Sequence, residues 1–487
     1  MNGSENRRAK SRLDEIQIVE INRNNINQIW SQLTDSLKNA DFIAVDLELS
    51  GLGIGIHAKN IEQRYKNIRE AAISRLAKES SEDLQSFICF FRSVLSFGIA
   101  FFKKSKVNEK KRKVKFTSQV FNILTLCGKP FVMEPDALEF LAKHSFDFNR
   151  LISSGIRYMP HTTDETCKMR SLVHSIFSKP VPLCLHNGFI DIVFIYHHFY
   201  SPLPESFQEF CNSAAELFTA DFPVVDSKYL AESKTRMTAS FLEYVFRKCQ
   251  GDNVREEMQS KVYLQIEFTE LETKALRKAS ELMDCRLPGD FPNHKIPTDL
   301  GTQLCKKFAV KLGYRFLDYC LFFQNHGVCH LERQGKCALL HDVDYALDFE
   351  SKHSSKRRKA EKRRHSFAFP EGQHPAEGDV SDSSETNTAD EEFSVREVDS
   401  KPRLAVAGSH RAGIDAFMTG YAVLFQERMS IFRTGNIDSE SLNRLPLSGK
   451  SDPLIFRKPF CNPEVCKIHK ERFFTIQQAR KKTGTIS

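Results

Sequence analysis

FIAVDLELSGLG, residues 42–53, is apolar enough to be a buried strand, yet it carries Asp46 and Glu48 near its end and then breaks into Ser50, Gly51 and Gly53. Side chains alternate along a strand, so Ile43, Val45, Leu47 and Leu49 share one face and Phe42, Ala44, Asp46 and Glu48 the other. Both faces begin apolar, as in the interior strand of a mixed or parallel sheet. The two carboxylates share one face at the strand end, where uncompensated charge is costly to bury. A hard divalent cation is the obvious partner. The glycines behind them leave room for a ligand to approach the backbone.

At 487 residues the chain is too long for one ordinary domain and suits a large domain with appendages. A net charge of +8 and a pI near 8.7 permit a nucleic-acid partner without demanding one. The opening MNGSENRRAKSRLDE lacks the apolar core of a signal peptide, and no apolar run reaches the roughly 20 residues that span a bilayer. The expectation is a soluble intracellular protein without a membrane partner, its 13 cysteines buried, free or metal-bound rather than paired.

Outward from the opening strand, IVEINRNNINQIWSQLTDSLKNA reads as a short strand and a helix, and IEQRYKNIREAAISR as a helix. SVLSFGIAFF (93–102) and SQVFNILTL (118–126) read as strands around a Lys-rich turn, and 134–178 as mainly helical. VPLCLHNGFIDIVFIYHHFY (181–200) gives a strand, a turn and a helix buried through Phe189, Ile192, Val193 and Tyr196, with Asp191 in its first turn. Asp191 there either complements the helix dipole or serves a site. FPVVDSKYLAE (222–232) is a short strand running into a helix, and 250–315 gives charged helical stretches and a Pro-rich turn. GDVSDSSETNTADEEFSVREVDS (378–400) cannot bury enough apolar surface to fold, and order returns at GSHRAGIDAFMTGYAVLFQE (408–427).

In this last segment Asp415 opens a helix, and His410 lies in the loop before it. A neutral histidine near a metal and its water suits a general base. Asp46, Glu48, Asp191 and Asp415 thus give four carboxylates at element ends, with His410 beside them. Two divalent cations roughly 3.5–4 Å apart, activating water and stabilising a leaving oxygen in phosphodiester cleavage, need such a set.

The arrangement resembles the DEDD superfamily of 3′-to-5′ exonucleases in its His branch, whose last motif is H-x4-D. VDLELSGLG, LHNGFIDIVFIY, VVDSKYLAE and HRAGIDAFMTGY resemble, more narrowly, the CAF-type deadenylases and poly(A)-specific ribonuclease, over about Asn25 to Gln426. The resemblance implies an α/β, RNase H-like fold, a mixed central sheet flanked by helices with an inserted zinc finger and a disordered linker. It implies two Mg²⁺ ions, replaceable by Mn²⁺, on Asp46, Glu48, Asp191 and Asp415, with His410 as general base. Asp226 follows Asp191 closely enough to compete as a ligand, but the family's last acidic ligand lies in H-x-A-G-x-D, so Asp226 is read as structural. LAKESSEDLQSFICFF (76–91) intervenes where the family passes almost directly from helix to strand.

Cys320-x8-Cys329-x7-Cys337-x3-His341 offers three thiolates and an imidazole, a donor set for one tetrahedral structural Zn²⁺. The spacing resembles the CCCH class, with a longer middle interval, and His330 is a competing ligand to His341. Phe316, Tyr319, Phe322 and Phe323 either stack bases or form the finger's small core. KHSSKRRKAEKRRH (352–365), with Lys356–Arg364 at its centre, reads as a nuclear localisation signal for the import machinery or a phosphate-contacting patch, and its place beside the acidic stretch favours the signal. Cys461, Cys466 and His469 in the tail are too few to make a metal site.

The division expected is a polar leader (1–15), a first nuclease part (16–250), a connecting segment (251–315), the zinc finger (316–345), a basic and acidic linker (350–405), the last nuclease motif (406–430) and a tail of unread role (431–487). The function expected is a Mg²⁺-dependent 3′-exoribonuclease on single-stranded RNA 3′ ends, releasing 5′-AMP from oligo(A) and poly(A) tails. By resemblance it trims small nuclear and other short non-coding RNAs in the nucleus, its Cajal bodies and the nucleolus. The alternatives are an RNA-binding protein that no longer cuts and a nuclease for DNA 3′ ends.

Overall fold

The computed structural model describes residues 9–52, 60–73, 92–105, 110, 112–160, 166–287, 320–327, 411–447, 452–457 and 465–484, with 329, 331, 336–337, 339, 341–348, 350–351 and 450. Segment 76–91, His330, Phe316, Tyr319, the 352–410 stretch with His410, and Cys461 lie outside the described residues. No helix among the described residues is long and apolar enough to cross a membrane.

The fold is the expected mixed α/β sheet. The run from Phe42 becomes strand β2 (Phe42–Leu49), paired antiparallel with β3 (Val94–Lys104) and parallel with β6 (Leu183–Leu185). Beyond β6 lies β7 (Val224–Asp226), and beyond β3 lies β4 (Lys113–Cys127). The far edge of β4 is shared, all in parallel, by β8 (Tyr263–Phe268), β1 (Glu15–Ile21) and β5 (Ile156–Tyr158), with β9 (Ser280–Asp284) antiparallel on β1. Serving three neighbours in turn explains why β4 runs well beyond the stretch its apolar pattern marks.

The sheet divides the core in two. Ile43, Val45, Phe97, Ile99, Phe121 and Ile123 face a layer that includes the helices Ile26–Asn39, Lys168–Ser178, Phe189–Ile195 and Phe207–Leu217. In the first of these, Ile26, Ile29, Leu33 and Leu37 recur at helical spacing and are buried. Phe42, Ala44, Ala100, Phe102, Phe116 and Val120 face the other layer, built on the helices Leu242–Met258 and Ala412–Gln426. All of Ala412–Gln426 is buried, so it is a central helix rather than a striped surface one.

One expectation changes, and the unread tail finds its place. The stretch 250–315 holds strands β8 and β9 of the central sheet: in YLQIEF, Leu264, Ile266 and Phe268 alternate with Gln265 and Glu267 at the strand period, while SELMD is a short, largely exposed edge strand. The tail after 430 belongs to the fold: strands β10 (Arg444–Leu445) and β11 (Leu454–Ile455) form a hairpin, and Leu445, Phe456, Phe473 and Ile476 enter the core beside β7 and the helices Lys168–Ser178 and Phe207–Leu217. His469, on the helix Lys467–Gly484, is fully buried, with Nδ1 against the hydroxyls of Tyr196 (2.9 Å) and Tyr200 (3.3 Å) and Nε2 against Glu216 (3.0 Å).

Candidate active site

Asp46 stands opposite Gly98 and Glu48 opposite Ser96 across the β2–β3 ladder, whose register shifts just after Glu48. Gly98 in turn stands opposite Asn122 of β4. Over this row sits the start of the helix Ala412–Gln426. A Cβ added at Gly98 would lie 1.8 Å from the carbonyl oxygen of Ala412 and 2.4 Å from the Gly413 nitrogen, so the helix backbone occupies the space a side chain would need. The Gly413 amide donates to Asn122 Oδ1 (3.1 Å), which also accepts from Ser96 Oγ (3.0 Å). Further along, Gly420 meets the Phe102 ring and Ala44, so the helix runs antiparallel to β2. Its first turn delivers Asp415 to Asp46 and Glu48, and one carboxylate oxygen of each lies within 4.8 Å of the others.

Asp191 arrives from the other side. The Ile43 amide donates to Pro182 (3.1 Å), so the amides of Ile43, Val45 and Leu47 face β6. β6 pairs only with Ile43 and Ala44, and past its end the Leu47 amide meets the Asp191 carboxylate instead. Asp226 fixes that turn: Oδ1 accepts the amides of Asn187 (3.1 Å), Lys228 (2.9 Å) and Tyr229 (3.2 Å), and Oδ2 that of Gly188 (2.9 Å). Asn187 has φ +56°, a conformation asparagine tolerates. Asp226 thus spends its oxygens on backbone amides, holding the helix that carries Asp191.

Glu48 and Asp415 are buried, and Asp46 and Asp191 are partly buried. Burial and then the charges of Asp415, Asp191 and Glu48 push the Asp46 carboxyl well above the usual carboxylate range. Burial raises Asp191 to about 7, with Asp226 adding to the rise and the amides of Asp191 and Leu47 opposing it. Like charges this close resist ionisation unless a cation joins them. Anionic oxygens converging from two strand positions and two helix starts fit a hard divalent cation.

The loop after β2 is not open to a ligand at Gly51. A Cβ there would lie 2.4 Å from the Glu134 side chain, which accepts the Leu52 amide (3.1 Å) and pairs with Arg92 (2.6 Å). Gly53 lies outside the described residues. Gly98 and Asn122, which seat the helix, did not figure in the sequence reading. Nothing in the pattern sets them apart, since Ser96 also breaks the first strand and Gln119 and Thr125 the second.

Cys320, Cys329, Cys337 and His341 form a second cluster, each offering a ligand atom within 4.8 Å of the others. Burial, with the neighbouring thiols, raises Cys320 to about 12, a cost that a cation bound to the thiolates removes. Phe323 packs against His341 (5.2 Å) and against Phe241 of the body (6.1 Å), while Phe322 is exposed. Gly327, at φ +73°, lets the turn lie on the Phe241 ring. Behind the cluster, Asp344 accepts from the buried Arg247 (2.8 and 2.5 Å).

A family model described as CAF1 family ribonuclease matches residues 21–170 and 161–423, and the chain belongs to that family. It is similar to the poly(A)-specific ribonuclease PARN of Danio rerio (23% identical over 168 residues; 31% of this chain, 22% of that one). It is likewise similar to PARN of Homo sapiens (28% over 144 residues; 29% and 21%). The matched stretches span only about a fifth of those relatives' length. Among solved structures, S. pombe Pop2p in its Mg²⁺ and Mn²⁺ bound form is 13% identical, covering 48% of this chain and 82% of that one at a TM-score of 0.33. The RNase domain of yeast Pop2 is 10% identical, covering 50% and 80% at 0.31.

Proposed function

We propose that this CAF1-family chain is a divalent-metal-dependent 3′-to-5′ exoribonuclease of deadenylase type. The observation that carries the reading is the convergence of Asp46, Glu48 and Asp415 within 4.8 Å, with Asp191 acting on Asp46 from the opposite side. Asp46, Glu48, Asp191 and Asp415 would hold two Mg²⁺, or Mn²⁺ in their place. When bound, the cations supply water activation and charge stabilisation at the leaving 3′ oxygen. Asp46, which feels both Asp415 and Asp191, is the residue suited to be shared. His410, directly before Arg411, would take the proton of the attacking water, and Arg411 is tied to Glu281 of β9.

The substrates proposed are oligo(A) and poly(A) tails and the 3′ ends of small nuclear and other short non-coding RNAs, with 5′-AMP as product of the tails. Cys320, Cys329, Cys337 and His341 would hold one structural Zn²⁺ and add RNA affinity through the exposed Phe322. Lys356–Arg364 would direct the chain to the nucleus, including Cajal bodies and the nucleolus. The resemblance of the motifs to the nuclear deadenylase called target of early growth response protein supports these finer assignments.

The test is 3′ shortening of a 5′-labelled RNA ending in oligo(A), by wild type, Asp46→Ala and Asp415→Ala, with and without Mg²⁺. Stepwise shortening that needs the metal and both carboxylates is the expected result. Wild type that binds the RNA but leaves it full length in Mg²⁺ and Mn²⁺ would replace the enzyme by an RNA-binding protein. Equal shortening of the matching DNA would remove the RNA assignment.

A further inference from the structure

Arg64, on the helix Ile61–Ile73, is only 4% exposed. Its ε-nitrogen is sealed from water with no hydrogen-bond partner, and no carboxylate among the described residues forms an ion pair with it. The guanidinium lies over the Phe189 ring (5.7 Å), two residues before Asp191 on the helix that brings Asp191 to the site. Burial lowers the Arg64 pKa.

The other deeply buried arginine among the described residues differs. Arg247, 1% exposed, donates to Asp344, to Gln250 (2.8 Å) and to the carbonyls of Cys285 (2.9 Å) and Arg286 (3.3 Å). Arg69, a little over one turn beyond Arg64, donates to the Pro204 carbonyl (2.7 Å). These two arginines are supplied with acceptors, as burying a charge requires. Arg64 has an aromatic face in their place, which orients the guanidinium plane without satisfying its N–H groups. The helix's first turn, Asn60 and Ile61, borders a cleft of about 700 Å³ whose other walls include Lys450 and Asp452.

We propose that Arg64 binds a backbone phosphate of the RNA strand leading to Asp46, Glu48, Asp191 and Asp415. A phosphate offers paired anionic oxygens that match the guanidinium fork, and it would supply the missing counter-charge. The proposal rests on the exoribonuclease reading above.

The experiment measures binding of 5′-fluorescein oligo(A) to the metal-free full chain across 50–200 mM KCl, for wild type, Arg64→Gln and Arg64→Lys, with melting curves for each. Loss of one phosphate contact should weaken Arg64→Gln about tenfold and flatten the log K against log salt slope by about 0.7. Arg64→Lys should keep the slope. The melting temperature of Arg64→Gln should not fall, because an unpaired buried charge is removed. In Mg²⁺, KM should rise with kcat nearly unchanged. An unchanged slope overturns the proposal, and with a fall in melting temperature it makes Arg64 structural. Wild type that binds no oligo(A) overturns it as well. RNA bound through Arg64 but left uncut by wild type in Mg²⁺ would instead remove the exonuclease reading alone.

Discussion

Replacing Gly98 by alanine tests how the proposed active site is assembled. The new methyl would lie 1.8 Å from the Ala412 oxygen and 1.9 Å from its carbonyl carbon, against an ordinary contact of about 3.5 Å. Both atoms are backbone, so no rotamer change clears them. The helix start must recede by roughly 1.5 Å, breaking the 3.1 Å bond from the Gly413 amide to Asn122 and drawing Asp415 from Asp46 and Glu48. Overpacking of this kind costs about 1–3 kcal/mol, or roughly 4 °C in melting temperature for a domain of this size. If Asp415 holds the metal as proposed, displacing it by more than 1 Å should slow shortening of the labelled RNA about 10²-fold. Adding Ala412→Gly should not rescue it, because the clash is with the main chain. Gly98→Ala with wild-type melting temperature and wild-type rate would refute this account of how Asp415 is placed.

Asp46 and Asp191 have folded pKa values above those of the unfolded chain, Asp191 at about 7, so the folded protein keeps protons the unfolded one releases. The Asp191 contribution to stability is full below about pH 4 and is lost as pH rises through about 7, and Asp46 acts in the same direction. In EDTA the melting temperature should fall between pH 5 and 8, and Mg²⁺ should remove most of that fall; a flat metal-free profile would contradict it. Asp226→Asn puts an N–H where a backbone amide now donates, costing about 1–3 kcal/mol in chemical unfolding and slowing shortening through Asp191. Full activity in that variant would show that the turn does not depend on Asp226. Zinc analysis of the purified chain should give one ion per molecule, lost in Cys329→Ser; no zinc in wild type would remove the finger assignment.

The sequence by itself determined the strand with Asp46 and Glu48 on one face, the helix start at Asp191, the helix beginning near Asp415 and the Cys/His set. Each is a local matter of alternation, helical period or spacing, and local pattern is what a linear reading carries. Only the tertiary structure decided how they meet. Asp415 reaches Asp46 because Gly98 and Gly413 let a helix backbone touch a strand from far earlier in the chain. Asp191 finds its place because β6 stops short and frees the Leu47 amide. Residues after 430 enter the core by filling space beside helices that no periodicity links to them. Arg64 is an ordinary surface cation in the pattern IEQRYKNIREAAI and becomes a buried charge only when Phe189 packs beneath it. Close approach between distant backbones depends on what is absent, a side chain at Gly98 or a strand partner for Leu47, and an absence has no period to read.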